Sequence, residues 1–328
     1  MSDLSRRGVL GGAAVLGAAA ALHAQANAAP PDLLGQAILI TGSSSGFGRL
    51  GAEHYARLGA KVFATMRNLP RPEAEELRKL ARDEKLDITV LELDVLDEDM
   101  TNRAVAAAEK AAGRGLDVLV NNAGIGITGP VEVQDMEATQ LAFDTNVFGY
   151  HRVARAVLPG MRARKSGHIF AISRQLGRVI VPFAGHYSAT KFALEAMFEQ
   201  LAYEVHSHGI GVTIIEPCGY PTEVWVNRNR YSGDLKARAA ESHKNGYPAV
   251  VSRMGTEDGS SRSADPMDVP RAIAGVLAMP KGSRPLRLPV SGGEVPQVAI
   301  NRVCAETQIT MLGRSPVMGP IVKAVHGA

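Results

Sequence analysis

The sequence has few cysteines and only a small excess of positive over negative charge. Its two cysteines, Cys218 and Cys304, are too few for a disulfide framework, and no Cys/His group has the spacing of metal ligands. In an oxidising compartment the two could pair, but neither connectivity nor distance can be read from sequence. The net charge is only +3, with lysine and arginine scattered along the chain. We therefore expect no metal site and no nucleic-acid partner.

Long apolar runs are also lacking. Apolar residue types make up 45% of the 328 residues, which is enough for one large core or two modest ones. One Gly/Ala-rich apolar stretch follows Arg6-Arg7 and ends at Leu22, and it is too short to span a bilayer comfortably. We expect a single large globular domain without a stable membrane anchor.

The first 28 residues have the pattern of a signal peptide, with Ala26-Asn27-Ala28 as a small-x-small cleavage site. The paired arginines resemble a twin-arginine signal, although Val9 and Gly11 replace its usual Phe and Lys. A membrane anchor or an unprocessed leader are the alternatives. We expect a periplasmic or exported protein that folds before it is carried by the twin-arginine export machinery. If the leader is not functional, we expect a cytoplasmic protein.

After Pro30-Pro31, short apolar strands alternate with helices. Apolar spacing predicts strands at 37–40, 61–66, 88–93, 118–120, 169–172, 212–215 and 286–288. It predicts helices at 50–58, 73–82, 100–112, 141–164, 187–208 and 269–277, the fourth interrupted near Pro159 and Gly160. This order predicts an α/β fold with a doubly wound parallel sheet. We assign the domain to 36–290, with a flap at about 220–265 and a C-terminal tail at 291–328.

Two local patterns carry chemistry. Glycines at 42–48, between the first strand and the first helix, would let backbone N–H groups approach a pyrophosphate, although an ordinary Gly-rich turn is the alternative. Tyr187 and Lys191 are four residues apart on a predicted helix, so a phenol and an ammonium can share one site. That pair can perform acid/base chemistry, unless it is simply an exposed helix pair.

Together these motifs resemble the short-chain dehydrogenase/reductase family over about 36–288. The resemblance rests on T-G-x-x-x-G-F-G, Asn121-Asn122-Ala123-Gly124, Asn146 and Tyr187…Lys191 in family order and spacing. Arg67-Asn68 and the segment 285–289 are most similar to the retinol and 17β-hydroxysteroid dehydrogenase branch. The resemblance implies a Rossmann-type fold and a nicotinamide cofactor across the carboxyl edge of the sheet.

The resemblance also implies where that cofactor binds. Its expected contacts are Gly42, Ser44, Gly46, Phe47 and Gly48 in the glycine turn, Asp94 at the adenine, Asn122 and Lys191 at the nicotinamide ribose, and Thr222 at the carboxamide. An acidic residue after the second strand would repel a 2′-phosphate. Arg67 stands there instead, which favours NADP over NAD unless Arg67 is only a solvated surface residue.

For catalysis, the resemblance implies hydride transfer between nicotinamide and a ketone or secondary alcohol. Tyr187 would exchange the proton with the substrate oxygen, Lys191 would stabilise the phenolate, and Asn146 would support a water that relays protons, unless it only kinks or caps a helix. The second function class is a nicotinamide-nucleotide-binding sensor or scaffold with little turnover. We expect a homodimer or homotetramer paired through helices 141–164 and 187–208.

One position departs from the family. The catalytic serine expected thirteen residues before Tyr187 is Arg174, and Ser173 matches the preceding serine, which packs below the site. Arg174 could turn outward while Ser173 enters the site, bind an oxyanion or an anionic substrate itself, or obstruct the site. Cys218 also stands where the family has glycine. Further pocket candidates, with ordinary packing as the alternative, are Trp225, Tyr231, Met254 and His186.

Overall fold

A parallel seven-stranded sheet forms the centre of the protein. The computed structural model describes residues 31–257, 259 and 262–327, so the predicted signal peptide lies outside the described residues. The strands are β1 (Ala37–Ile40), β2 (Lys61–Met66), β3 (Ile88–Glu92), β4 (Val118–Asn121), β5 (Gly167–Ile172), β6 (Ile210–Pro217) and β7 (Arg287–Val290). Their order is β3-β2-β1-β4-β5-β6-β7, and all neighbours run parallel.

Helices connect the strands and cover both faces of the sheet. They are α1 (Gly46–Arg57), α2 (Pro72–Glu84), α3 (Glu98–Ala112), α4 (Met136–Phe143), α5 (Gly149–Arg164), α6 (His186–His206), α7 (Val224–Arg238), α8 (Glu241–Lys244), α9 (Pro248–Arg253), α10 (Asp268–Ala278), α11 (Gln297–Leu312) and α12 (Met318–His326). The predicted doubly wound α/β fold of Rossmann type is therefore confirmed.

The core lies in two layers because successive strand residues point to opposite faces. In β1, Ile38 and Ile40 pack on one face with α1 and α10. Ala37 and Leu39 pack on the other face with α3, α5 and α6. Both layers hold the carboxyl ends of β1 to β6 in place, and most of the predicted site residues lie near these ends.

The predicted break near Pro159 and Gly160 is wrong, because α5 continues through both residues to Arg164. Pro159 removes one helical N–H, but it and Arg155, whose carbonyl loses that partner, are both exposed to water. The irregular turn lies earlier, where residues 144–148 form a wider π-helical turn between α4 and α5. Such turns often mark functional positions, and Asn146 lies within this one.

The segment 220–265 contains α7, α8 and α9. A small apolar cluster packs α7 and α9 over the loop after β4, through residues that include Ile125, Ile127, Leu235 and Met254. The tail beyond 290 forms α11 and α12, where no element is predicted from the sequence. Gln297 is the buried residue of α11, so that helix lacks the apolar stripe that periodicity detects. Among the described helices, none has the length and apolar character needed to cross a membrane.

Candidate active site

A cleft of about 850 Å³ opens at the carboxyl ends of the central strands. Its walls come from the turn after β1, the segments after β2 to β5, the start of α6 and the segment from 217 to 231. Ligands of open α/β sheets bind at this edge, where the strand order reverses. The cleft thus brings together residues that are far apart in sequence.

The glycine turn has the shape of an anion site. Gly42 and Gly46 have φ angles of +70° and +55°, which residues with a Cβ rarely adopt. A Cβ on Gly42 would lie 2.8 Å from the Cα of Ala123, and one on Gly48 would collide with Gly42 O and Asn122 Nδ2. Ser45 caps α1 without a side-chain hydrogen bond, and the first turn contains no acid. With no cap from Ser45 and no acid nearby in the turn, its N–H groups can donate to a phosphate.

Asn122 supports the glycine turn. Its Nδ2 donates to Thr41 O at 2.9 Å and to Gly42 O at 3.1 Å. Thr41 Oγ1 in turn accepts from the backbone N–H groups of Asn122 and Ala123. The side-chain donors of Asn122 thus fix the turn. That Asn122 also lies near the nicotinamide ribose stays a prediction.

The end of the cleft at β2 and β3 is rich in arginine. Arg67 Nη2 donates to Tyr231 Oη at 3.1 Å, and the Arg230 guanidinium lies 4.9 Å from the Tyr231 ring centroid. Arg71 donates two hydrogen bonds to the carboxylate of Glu73. Asp94 also lines this end, as do the predicted cofactor contacts Ser44, Phe47 and Thr222 on the neighbouring walls.

Tyr187 and Lys191 lie on one face of α6 at the other end of the cleft. Lys191 is buried, and its Nζ donates to Ile172 O at 2.9 Å. The same Nζ is 5.9 Å from the Tyr187 ring centroid. Burial, and then the positive charge of Arg174, lower the pKa of Lys191 to about 7, while Glu195 opposes this shift.

Asn146 connects the π-helical turn to two other parts of the site. Its Oδ1 accepts from Ile125 N at 2.9 Å, and its Nδ2 donates to Ile125 O at 2.9 Å and to Thr190 Oγ1 at 3.2 Å. Because Thr190 lies on α6, this side chain fixes the loop after β4 against the helix of Tyr187. Its predicted water relay remains a prediction.

Ser173 and Arg174 follow β5 and point in different directions. Ser173 is only 3% exposed, and its Oγ lies beside Gly177, next to Glu195. Arg174 enters the cleft, with its Cζ 5.9 Å from the Tyr187 ring centroid and 6.0 Å from that of Trp225. Both residues line the cleft, and the guanidinium of Arg174 lies over the ring of Tyr187.

The other pocket candidates divide into cleft and packing residues. Tyr231 and Cys218 line the cleft. Trp225 and Met254 are buried within the segment 220–265, and the backbone N–H of His186 donates to Gln134 Oε1 at 2.8 Å. Cys218 and Cys304 are both free cysteines.

Sequence reasoning missed an ionic cluster beneath the site. It consists of Glu195, Glu199, Glu216 and Arg287, all with largely buried side chains. Glu195 and Glu199 continue the Tyr187–Lys191 spacing along α6, which is the signal that could have indicated them. The position of Arg230 beside Tyr231 was also missed, because the pattern of α7 is too polar to show which side faces the cleft.

Comparison with known proteins supports the family assignment. The model of the short chain dehydrogenase family matches residues 36–232. Retinol dehydrogenase 8 of Homo sapiens is 40% identical over 191 residues, which cover 57% of this chain. Those residues span 59% of the length of that relative.

Solved structures share the fold over most of the chain. A short-chain dehydrogenase from Streptomyces avermitilis has a TM-score of 0.65 and 30% identity, covering 84% of this chain and 97% of its own. A gluconate 5-dehydrogenase from Burkholderia cenocepacia in complex with NADP and tartrate has a TM-score of 0.63 and 26% identity, covering 80% and 96%. Family model, fold and cleft agree, and the chain belongs to the short-chain dehydrogenase family.

Proposed function

We propose that the protein is an NADP(H)-dependent oxidoreductase that interconverts a ketone and a secondary alcohol. The observation that carries the proposal is the Tyr187 ring beside the buried Lys191, at one end of a cleft that contains the glycine turn at its centre. Such a pair can transfer a proton where a bound nucleotide would present its reactive ring.

A nicotinamide nucleotide fits the residues present. The N-terminus of α1 and the glycines at 42, 46 and 48 would hold the pyrophosphate, because Gly42 and Gly46 line the cleft and Ser45 does not cap the first N–H groups of α1. Arg67 would bind an adenosine 2′-phosphate, which supports NADP, and the related gluconate 5-dehydrogenase was solved with NADP. When bound, the nucleotide supplies or accepts the hydride.

The protein's own groups would move the proton. The Tyr187 hydroxyl would donate to the substrate oxygen during reduction. With a pKa of about 7, Lys191 can gain or lose a proton at neutral pH, which an ordinary ammonium does rarely. Asn146 keeps Thr190, and with it α6, in position through its hydrogen bond to Thr190 Oγ1.

Screening ketones and alcohols for oxidation or reduction of the nucleotide tests this function. Tyr187→Phe should lower kcat by about 10²- to 10⁴-fold while leaving nucleotide affinity nearly unchanged, because only the proton donor is removed. A protein that binds no nucleotide, or a Tyr187→Phe variant as active as the wild type, would refute the proposal.

The second candidate is a nucleotide-binding protein with little turnover, and Arg174 in the serine position is the observation that favours it. Here the guanidinium would occupy the place of the substrate oxygen. Arg174→Ser and Arg174→Ala separate the two functions. If both raise turnover strongly on every substrate, Arg174 is an obstruction and the second function is preferred.

We also propose that the protein is exported in folded form, with a dimer or tetramer as its assembled state. The leader sequence supports export, since a twin-arginine route carries folded proteins together with a cofactor. Replacing Arg6-Arg7 by Lys-Lys should keep the protein in the cytoplasm, as judged by cell fractionation. Sedimentation of the mature protein tests the assembly.

A further inference from the structure

Arg174 is held between two aromatic rings at the catalytic end of the cleft. Its Cζ lies 5.9 Å from the Tyr187 ring centroid and 6.0 Å from that of Trp225. Trp225 is itself fixed, because its ring is buried and its Nε1 donates to Tyr220 O at 2.7 Å. Contacts with ring faces restrain a guanidinium without using its N–H donors.

The donors of Arg174 are available to a ligand. Within the part of the chain that the structure describes, no side chain forms a hydrogen bond or ion pair with it, whereas Arg287 contacts carboxylates. The acids lining the cleft, Glu73, Glu76 and Asp94, belong to the end at β2 and β3. Among the described residues that line the cleft, no acid lies at the end of Tyr187 to neutralise Arg174.

Lys191 increases this excess of positive charge. It is buried beside Tyr187, and the charge of Arg174 contributes to lowering its pKa to about 7. The positive charge of Arg174 disfavours the charged form of Lys191. A bound anion between Arg174 and Tyr187 would offset that repulsion.

We infer that Arg174 binds a carboxylate of the substrate, so that the protein acts on oxo acids and the corresponding hydroxy acids. The inference rests on the proposed function, since it assigns a substrate class to the same cleft. Guanidinium and carboxylate match in a two-point hydrogen-bonded geometry. During reduction the carbonyl carbon gains a hydride and its oxygen gains a proton, and the carboxylate is unchanged.

The position of Arg174 also places a bound carboxylate close to the reacting group. Its guanidinium lies over the ring of Tyr187, whose hydroxyl would donate to the carbonyl oxygen. A short oxo acid can present its carboxylate to Arg174 and its carbonyl group to Tyr187 at the same time, and it is therefore the class of compound used to test the inference.

Trp225 is the protein's single tryptophan, so its fluorescence reports directly on this region. Oxamate, a carboxylate whose amide carbonyl is not reduced, and the neutral ethyl oxamate are titrated into the protein with and without saturating NADP. Oxamate should give a saturable signal and the ester should not. Arg174→Gln should weaken oxamate binding at least tenfold, and Arg174→Lys should have an intermediate effect.

Arg262→Gln is the matched control. Its guanidinium lies 5.7 Å from the same indole centroid but is exposed, so it tests whether any charge near Trp225 produces the signal. This variant should keep its oxamate affinity. In steady-state assays, Arg174→Gln should raise KM for a 2-oxo acid and leave KM for its ester unchanged.

Equal oxamate affinity in the wild type and Arg174→Gln would overturn the inference, and so would an ester that binds as tightly as oxamate. Failure of the proposed function has a different signature, namely the absence of nucleotide binding. In that case the titration without NADP still decides whether Arg174 binds the carboxylate.

Discussion

Arg287 Nε donates to Glu195 Oε2 at 2.8 Å, and this ion pair joins the edge strand β7 to the helix that carries Tyr187 and Lys191. The two side chains are only 7% and 2% exposed. Arg287 Nη2 also donates to Glu199 at 2.6 Å, one turn further along α6, and Glu216 lies 3.6 Å from Nε. One cation therefore holds carboxyl groups from α6 and β6 together close to Lys191.

Arg287→Met should destabilise the protein by about 3–5 kcal/mol, because it leaves buried carboxylates without their cation. Methionine occupies a similar volume to arginine, so the loss of unfolding free energy measures mainly the effect of removing the positive charge. Urea unfolding followed by circular dichroism measures the change in unfolding free energy.

Arg302→Met on α11 is the comparison variant. Arg302 pairs with Glu306 at 3.1 Å, but the side chains are 49% and 55% exposed, so we expect a loss below about 1 kcal/mol. If the two variants lose the same stability, the buried cluster contributes no more than a surface ion pair.

Glu216 should make stability depend on pH. Burial and the neighbouring Glu195 raise its pKa from 4.5 to about 8. Between these values the folded state retains a proton that the unfolded chain has released, so the free energy of unfolding falls as pH rises from about 4.5 to about 8.

Glu216→Gln removes this titration and keeps an acceptor for Asn301 Nδ2, which donates to both Glu216 oxygens. Urea unfolding at several pH values should show a flatter profile for the variant, by at most about tenfold per pH unit in the unfolding constant. Glu306→Gln, at an exposed position, should retain the wild-type profile. Identical profiles for wild type and Glu216→Gln would contradict the assignment.

Elements with strong local patterns could be predicted from the sequence. The turn from β1 to α1 has its glycines at 42, 46 and 48, within one short segment, and the Tyr187–Lys191 spacing corresponds to one helical turn. Both patterns are local, so both could be recognised in the sequence. The ionic cluster could be predicted only in part. The spacing along α6 places Glu195 and Glu199 on the face of Tyr187, but nothing in the sequence pairs Glu195 with Arg287, which is 92 residues away. They meet because β7 pairs with β6 and α6 packs on β6.

The direction in which the Arg174 side chain points also could not be predicted from the sequence. Counting from Tyr187 identifies Arg174 as the residue in the serine position, but not whether it points outward or into the cleft. That depends on the Trp225 ring, which α7 places 6.0 Å away. The π-helical turn at Asn146 could not be predicted for a similar reason. It is stabilised by hydrogen bonds between Asn146 and Ile125, which is 21 residues away in the sequence.

Arg67→Gln should reduce the preference for NADP. A charge-assisted contact with the 2′-phosphate contributes about 1.5–3 kcal/mol, so NADP affinity should fall about ten- to hundredfold while NAD affinity changes little. Nucleotide titration followed by protein fluorescence measures both. Tyr231→Phe, which removes only the hydroxyl that Arg67 contacts, should keep the preference. An equal loss for NAD and NADP would assign Arg67 a structural role instead.

Gly48→Ala should abolish measurable binding of either nucleotide. A Cβ at this position would collide with Gly42 O and Asn122 Nδ2, so the turn must open and its N–H groups lose their common direction. Gly233→Ala on α7 is the control, because nothing lies within 4 Å of its added Cβ, and alanine there should stabilise the helix by about 0.5–1 kcal/mol. Calorimetric titration with NADP and NAD, together with thermal unfolding, separates binding from stability. A Gly48→Ala variant that binds nucleotide like the wild type would place the pyrophosphate elsewhere in the cleft.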